Sequence, residues 1–233
     1  MSQLDNTPIM QNGSAEPFYQ IWIKALTKPN ENTYAEIGSS PNAKATTAYL
    51  WVFLCSLVAS FFSIIVQQIT LGSRLSQDGS SRGIGAIALI VICGTPIAAA
   101  VGTGFFALFV ALIQWIAKMF GGRGTNDQLA YAYAAIGAPY SLVSSVFILF
   151  SAIPFVGICF RLILGLAGLY ILVLQIMAVK GVNQIGWGQA AASALLPGFT
   201  ILLVCGCVVG IGLVAMGPVI GNVFNQINHS LGQ

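Results

Sequence analysis

The sequence has 233 residues, of which only 15 are charged, 9 Lys or Arg and 6 Asp or Glu. Charged residues make up 6% of it and hydrophobic ones 57%, whereas an ordinary soluble domain carries roughly 25% charged residues. Such a chain lacks the charged surface of a soluble fold, so most of its surface is read as facing lipid. The net charge of +3 is dispersed rather than clustered, which argues against a nucleic-acid partner, because phosphate binding needs concentrated Lys and Arg.

In chain order, residues 1–16 are polar and aperiodic and are read as a disordered tail. Residues 17–44 form a cytoplasmic amphipathic segment. Within it Phe18, Ile21, Trp22, Ala25 and Leu26 recur at three- and four-residue steps, with Lys24 and Lys28 elsewhere. That pattern predicts a helix carrying an aromatic face and two lysines, suited either to an anionic lipid surface or to packing on the ends of the spans. Pro29 ends it, and Asn30 to Thr33 restart a short helix containing Tyr34 and Ile37.

Charge at mid-bilayer is expensive, so charge-free runs locate the spans. The runs 45–73, 83–117, 128–160, 162–179 and 181–233 hold no Asp, Glu, Lys or Arg. A bilayer core of roughly 30 Å needs about 20 apolar helical residues. The spans are placed at 46–71, 87–117, 132–152, 158–179 and 195–221, within a membrane domain of 45–222, followed by a C-terminal tail of 223–233. The fold class is therefore all-α, a polytopic membrane bundle of five transmembrane helices. The second span is too long to cross straight, and is expected to tilt or break near Gly94-Thr95-Pro96. The third and fourth form an antiparallel hairpin about Ile153-Pro154-Phe155-Val156-Gly157. Counting Lys and Arg at the span ends sets Lys24, Lys28, Lys44, Lys118, Arg123 and Lys180 against Arg74, Arg82 and Arg161, which puts the N-terminus in the cytoplasm.

Chemistry is scarce. The lone histidine, His229, has no partners at ligand spacing. The five cysteines (Cys55, Cys93, Cys159, Cys205, Cys207) lie within or beside apolar runs and are read as packing residues. No span carries a carboxylate, so proton relays and nucleophile–base pairs have no material. The expectation is a protein that is not an enzyme and that carries no cofactor or metal. An enzyme acting on lipid would have only Asp78 and Asp127 to use. The loop Gly121-Gly122-Arg123-Gly124-Thr125-Asn126-Asp127 is no phosphate loop; it is read as a flexible turn with Thr125 or Asn126 capping the next helix. Candidate lipid or partner contacts are Trp22, Lys24, Lys28 and Arg161, the last lying four residues after Gly157 and able to snorkel to the interface. Small-residue stripes at Gly94, Ala98 and Gly102 and at Gly206 and Gly210 are candidate helix-packing faces, within the bundle or between subunits. Gln67, Gln68, Gln114 and Gln175 are read as interhelical hydrogen-bonding or interfacial groups.

The order of several pieces is similar to one known family. Trp22-Ile23-Lys24-Ala25-Leu26-Thr27-Lys28-Pro29 with Thr33-Tyr34 precedes the spans. The Gly121 to Thr125 loop runs into Gln128-Leu129-Ala130-Tyr131-Ala132-Tyr133 and Ala138-Pro139. Then come Ile153-Pro154-x-x-Gly157, Val179-Lys180-Gly181-Val182, Gly188-Gln189-Ala190-Ala191 and Leu196-Pro197. Over residues 17–222 the chain resembles the Yip1-domain family in its short prokaryotic form. The resemblance implies a five-span bundle with a cytoplasmic N-terminus, in a bacterial inner membrane. Eukaryotic members associate with Rab GTPases and with paralogues. This chain lacks their long N-terminal region and their Tyr-Gly-Pro-type motif, which leaves a Rab-type partner doubtful. The expected function is a scaffold or adaptor organising the bilayer or a partner membrane complex, as a homo-oligomer or with another membrane protein. The alternative is a transporter or channel component with its site at a broken second span.

Overall fold

The computed structural model describes residues 17–75, 84–150, 153 and 156–231. The tail 1–16 and most of the loop bearing Asp78 and Arg82 lie outside them. Among the described residues there are seven α-helices and no strand: α1 (Phe18–Thr27), α2 (Glu31–Gly38), α3 (Ala45–Leu75), α4 (Ile84–Met119), α5 (Asn126–Phe150), α6 (Val156–Asn183) and α7 (Trp187–Leu231). The last five are long and apolar enough to cross a membrane. The protein is an integral, multi-pass membrane protein.

The helix boundaries follow local chemistry. Pro29 lacks an amide donor and stops α1. Asn30 then opens α2 in extended conformation, its side chain accepting from the Asn32 amide at 3.2 Å. At α5, Thr125 and Gln128 form a reciprocal capping box: the Thr125 hydroxyl accepts the Gln128 amide at 3.3 Å, and the Thr125 amide donates to Gln128 Oε1 at 3.0 Å. Of the two residues expected to cap here, Thr125 is the cap. Thr125→Ala should destabilise the protein by about 1 kcal/mol, read as a lower melting temperature in detergent. An unchanged melting temperature would show that the start of α5 is held by packing alone.

The second span does not break. α4 runs as one helix through Pro96 despite the missing donor. The transport alternative thereby loses the discontinuity on which it stood. α7 also runs further than the fifth span required: with 45 residues it is about 67 Å long, over twice the roughly 30 Å hydrocarbon core.

The core lies at one end of the bundle. It gathers Ala48 of α3, Val110, Ile113 and Ala117 of α4, Leu174, Ala178 and Val179 of α6, and Ala190 and Ala194 of α7. The α3, α4 and α6 residues pack on α5, on which every residue from Leu129 to Ile136 is buried, while α7 packs on α4 and α6. α5 has the lowest mean hydropathy of the five spans and the largest buried share. The inversion has a physical reason. Lipid is as apolar as leucine, so the central helix is selected for small residues that admit close neighbours rather than for hydrophobicity. Ala130, Ala132, Ala134, Ala135 and Ala138 let α3 pack on α5 more extensively than any other pair.

Candidate functional site

Polar side chains converge at the core end of the bundle, where α1 and α2 sit against the ends of α3, α5 and α6. The α1–α2 pair closes on itself first. Tyr34 is fully buried and donates its hydroxyl to the Ala25 carbonyl at 2.7 Å. Burial, and secondarily the neighbouring Tyr170, push the Tyr34 hydroxyl above the ordinary phenol range, so it remains a donor throughout the physiological range. Lys24 bonds Glu36 at 2.7 Å, with both side chains partly open to solvent, so this pair contributes at most about 1 kcal/mol.

The closed pair is then fastened to the bundle. Ile21 and Ala25 are buried, and Trp22 meets Trp51 of α3 edge to face at 5.7 Å. Trp51 in turn lies 4.9 Å from Tyr131 of α5. Tyr170 of α6 donates to the Leu26 carbonyl at 2.8 Å. Lys180 pairs with Glu31 of α2 and lies 4.5 Å from the centre of the Trp187 ring, a cation–π contact that draws α7 to the same point. Of the two modes weighed for the amphipathic segment, its apolar face packs on the spans. Phe18, Tyr19 and Ile23 remain exposed.

Beneath this fastening lies a clasp between α4 and α6. Gln114 donates to Asn183 Oδ1 at 2.9 Å and to the Gly124 carbonyl at 2.6 Å, and Asn183 donates back to Gln114 Oε1 at 3.2 Å. The Asn183 carbonyl accepts the Arg123 amide at 3.1 Å. Gly122 and Gly124 are required here, since a Cβ on either would fall 2.8–2.9 Å from Asn183 Oδ1. The loop expected to be flexible is thus locked at its centre. Beside it opens a cavity of about 170 Å³ lined by Ala35, Gly38 and Ser39 of the α2 end, Arg123 and Gln128 of the α5 start, and Gly181, Val182 and Gln184 of the α6 end.

A family model for the Yip1 domain matches residues 23–209. The chain belongs to the Yip1-domain family. Comparison with curated proteins and with solved structures gives no match. The matched Yip1 domain begins inside α1 and ends inside α7. Every residue of the clasp, the Lys180–Glu31 fastening and the cavity therefore lies within it.

Around this Yip1 domain the candidate residues separate into different settings. Trp22 and Lys24 are engaged inside the protein, Trp22 with an indole NH that is buried and unbonded. Lys28 is exposed where α1 ends, and Arg161 is exposed near the start of α6, far from Lys28 along the bundle. They do not form one site. Gly94 packs under Ile64 of α3, whose Cδ1 lies 3.5 Å from where a Gly94 Cβ would stand. Ala98 and Gly102 instead line an open groove of about 250 Å³ with Ser56, Ser60, Ser63 and Gln67 of α3. Gly206 and Gly210 have no atom within 4 Å of where a Cβ would stand, so that stripe is unused within the chain. No group of three His, Cys, Asp or Glu able to hold a metal exists among the described residues.

Sequence reasoning passed over Glu31, Asn183, Gln184 and Ser39. Asn183 and Gln184 carried only the signal of position, as polar residues at the end of an apolar run, and Glu31 and Ser39 sit at the two ends of the short helix α2. Gln114, read as an interhelical hydrogen-bonding group, is one.

Proposed function

We propose that this Yip1-domain protein is a non-enzymatic scaffold or adaptor whose outer α7 half is the seat for a second membrane helix, from another copy or from a partner protein. The α1–α2 end faces the cytoplasm in this reading, as the lysine and arginine count requires. The observation that carries the proposal is the asymmetry of α7. Its first turns are buried at Ala190, Ser193 and Ala194, whereas every residue from Gly198 to Ile211 is exposed. A single helix standing apart from its bundle exposes both edges of the Gly206–Gly210 stripe, and small-residue stripes let two helices approach closely.

Cys205 and Cys207 flank that stripe and are both exposed. In native membranes a short bis-maleimide is expected to join the chain through these positions to one product of defined mass, lost in a Cys205→Ser/Cys207→Ser variant. Gly206→Leu should reduce the product at least fivefold without altering the melting temperature, because nothing inside the chain touches that site. A chain that remains monomeric in mild detergent and forms no cross-linked product would refute the scaffold reading.

A further inference from the structure

The cavity between α2, α6 and the α4–α5 loop has features that a simple packing gap lacks. From them we infer that it takes the phosphate of a phosphate ester, with Arg123 as the counter-charge and Gln184 as an orienting amide.

The first feature is the backbone at Gln184. Two helices, α4 and α6, end near one another at this face, and each is followed by a residue with positive φ. At the end of α4 that residue is Gly121, at φ 87°, with open space around it. At the end of α6 it is Gln184, at φ 54°, whose amide closes the helix on the Lys180 carbonyl at 2.8 Å. A left-handed position after a helix favours glycine because any Cβ is strained there. Gln184 alone among the described non-glycine residues takes such a φ, and it lines the cavity. Strained residues persist where something else requires the side chain.

The second feature is charge. Lys24 and Lys180 at this end are neutralised by Glu36 and Glu31. Arg123 is exposed, lines the cavity, and has no ion pair with the described residues. The cavity lining contains no carboxylate. A guanidinium presents a planar fork of donors that matches two oxygens of a phosphate, which an ammonium does not.

Depth is the third feature. Arg123 stands three residues before α5 begins, and Gln184 one residue after α6 ends. Both therefore lie where two candidate spans meet the headgroup layer. The α2 and α6 C-termini also point their negative ends towards the cavity. Some of their carbonyls are already bonded, as Ala35 and Glu36 are by the Ser39 amide. The remaining negative field opposes a bare phosphate, so the ligand expected is an ester that also carries an ammonium, as a phosphoethanolamine group does.

The test uses the full chain in a phosphate-free detergent, titrated calorimetrically with O-phosphoethanolamine as the free ester and with a short-chain phosphatidylethanolamine as the lipid. At least one is expected to bind. Binding of the lipid alone places the ligand in the membrane, and equal binding of both makes it a soluble ester. Arg123→Gln should weaken binding about tenfold. Gln184→Gly should weaken it about fivefold while raising the melting temperature of the ligand-free protein, since glycine relieves the strained φ. A merely structural glutamine would not give these opposite signs. Binding of neither probe, or unchanged affinity in either variant, overturns the inference; where Arg123→Gln fails to fold, Gln184→Gly decides.

Discussion

Gly181→Ala is expected to pull α2 off the bundle and to destabilise the protein by about 3 kcal/mol, the upper part of the range for inserting a methyl into a closed contact. The Cβ would land on the Glu31 carbonyl oxygen, with the carbonyl carbon at 3.1 Å and the Ala35 amide nitrogen at 3.2 Å. All are backbone atoms at the start of α2, so no side-chain rotation relieves the overlap. Either α2 moves as a unit or α6 bends. Moving α2 also separates Lys180 from Glu31 and withdraws Gly38 from Val182, whose methyl lies 3.1 Å from the site of a Gly38 Cβ. The effect should therefore be cooperative. Amide exchange would show it most directly: α2 and the end of α1 lose protection together, while the Leu129–Ile136 segment of α5 keeps its own. A variant with native exchange rates in α2 would mean that the hairpin is held elsewhere. Lys180→Met gives a milder comparison. It removes the ion pair and the contact with Trp187 but no backbone fit, and the pair is partly solvent-screened, so a loss near 1 kcal/mol is expected.

Asn183→Ala is expected to cost about 2–3 kcal/mol. Asn183 is fully buried and Gln114 is 3% exposed, so truncating one partner leaves the other amide without water to replace it. Interhelical hydrogen bonds inside a bilayer are commonly worth much less, about 0.6 kcal/mol, because the separated helices find other partners. The clasp differs in that Gln114 Nε2 also holds the Gly124 carbonyl at 2.6 Å, so in Asn183→Ala the Gln114 side chain stays tethered and its Oε1 cannot turn to another partner. The test is a double-mutant cycle. Gln114→Met with Asn183→Leu, which removes both polar groups, should be less destabilising than the two single changes added together, with a coupling of at least 1 kcal/mol. Additive losses would show that the two amides act separately and that the clasp is only a coincidence of packing.

The number and order of the spans were legible because lipid imposes a composition: 15 charges in 233 residues leave charge-free runs wherever a helix must cross. The α1–α2 pair was legible for a similar reason, since Pro29 and the spacing of Ile21, Trp22 and Ala25 each carry a local signal. The candidate site was not. Glu31 and Lys180 stand 149 residues apart, and Gln114 and Asn183 stand 69 apart. Nothing about a lone glutamate before a tyrosine, or an asparagine at the end of an apolar run, reveals its partner. Small-residue stripes misled in a specific way. Gly94 and Gly206 sit in equally suggestive patterns, yet one packs under Ile64 and the other faces open space. A stripe permits close approach without requiring it.

Alone, the sequence determined what the solvent is, how many helices cross it and which local residues start and stop them, because those follow from transfer free energies and backbone chemistry acting within a few residues. Only the tertiary structure decided which helix is central, that α4 passes Pro96 unbroken, that Lys180 belongs to Glu31, and that Arg123, Gln128 and Gln184 share one cavity. In a bilayer every span is apolar on all sides, so hydrophobicity no longer distinguishes inside from outside. That choice falls to shape, and shape is settled between helices far apart in the chain.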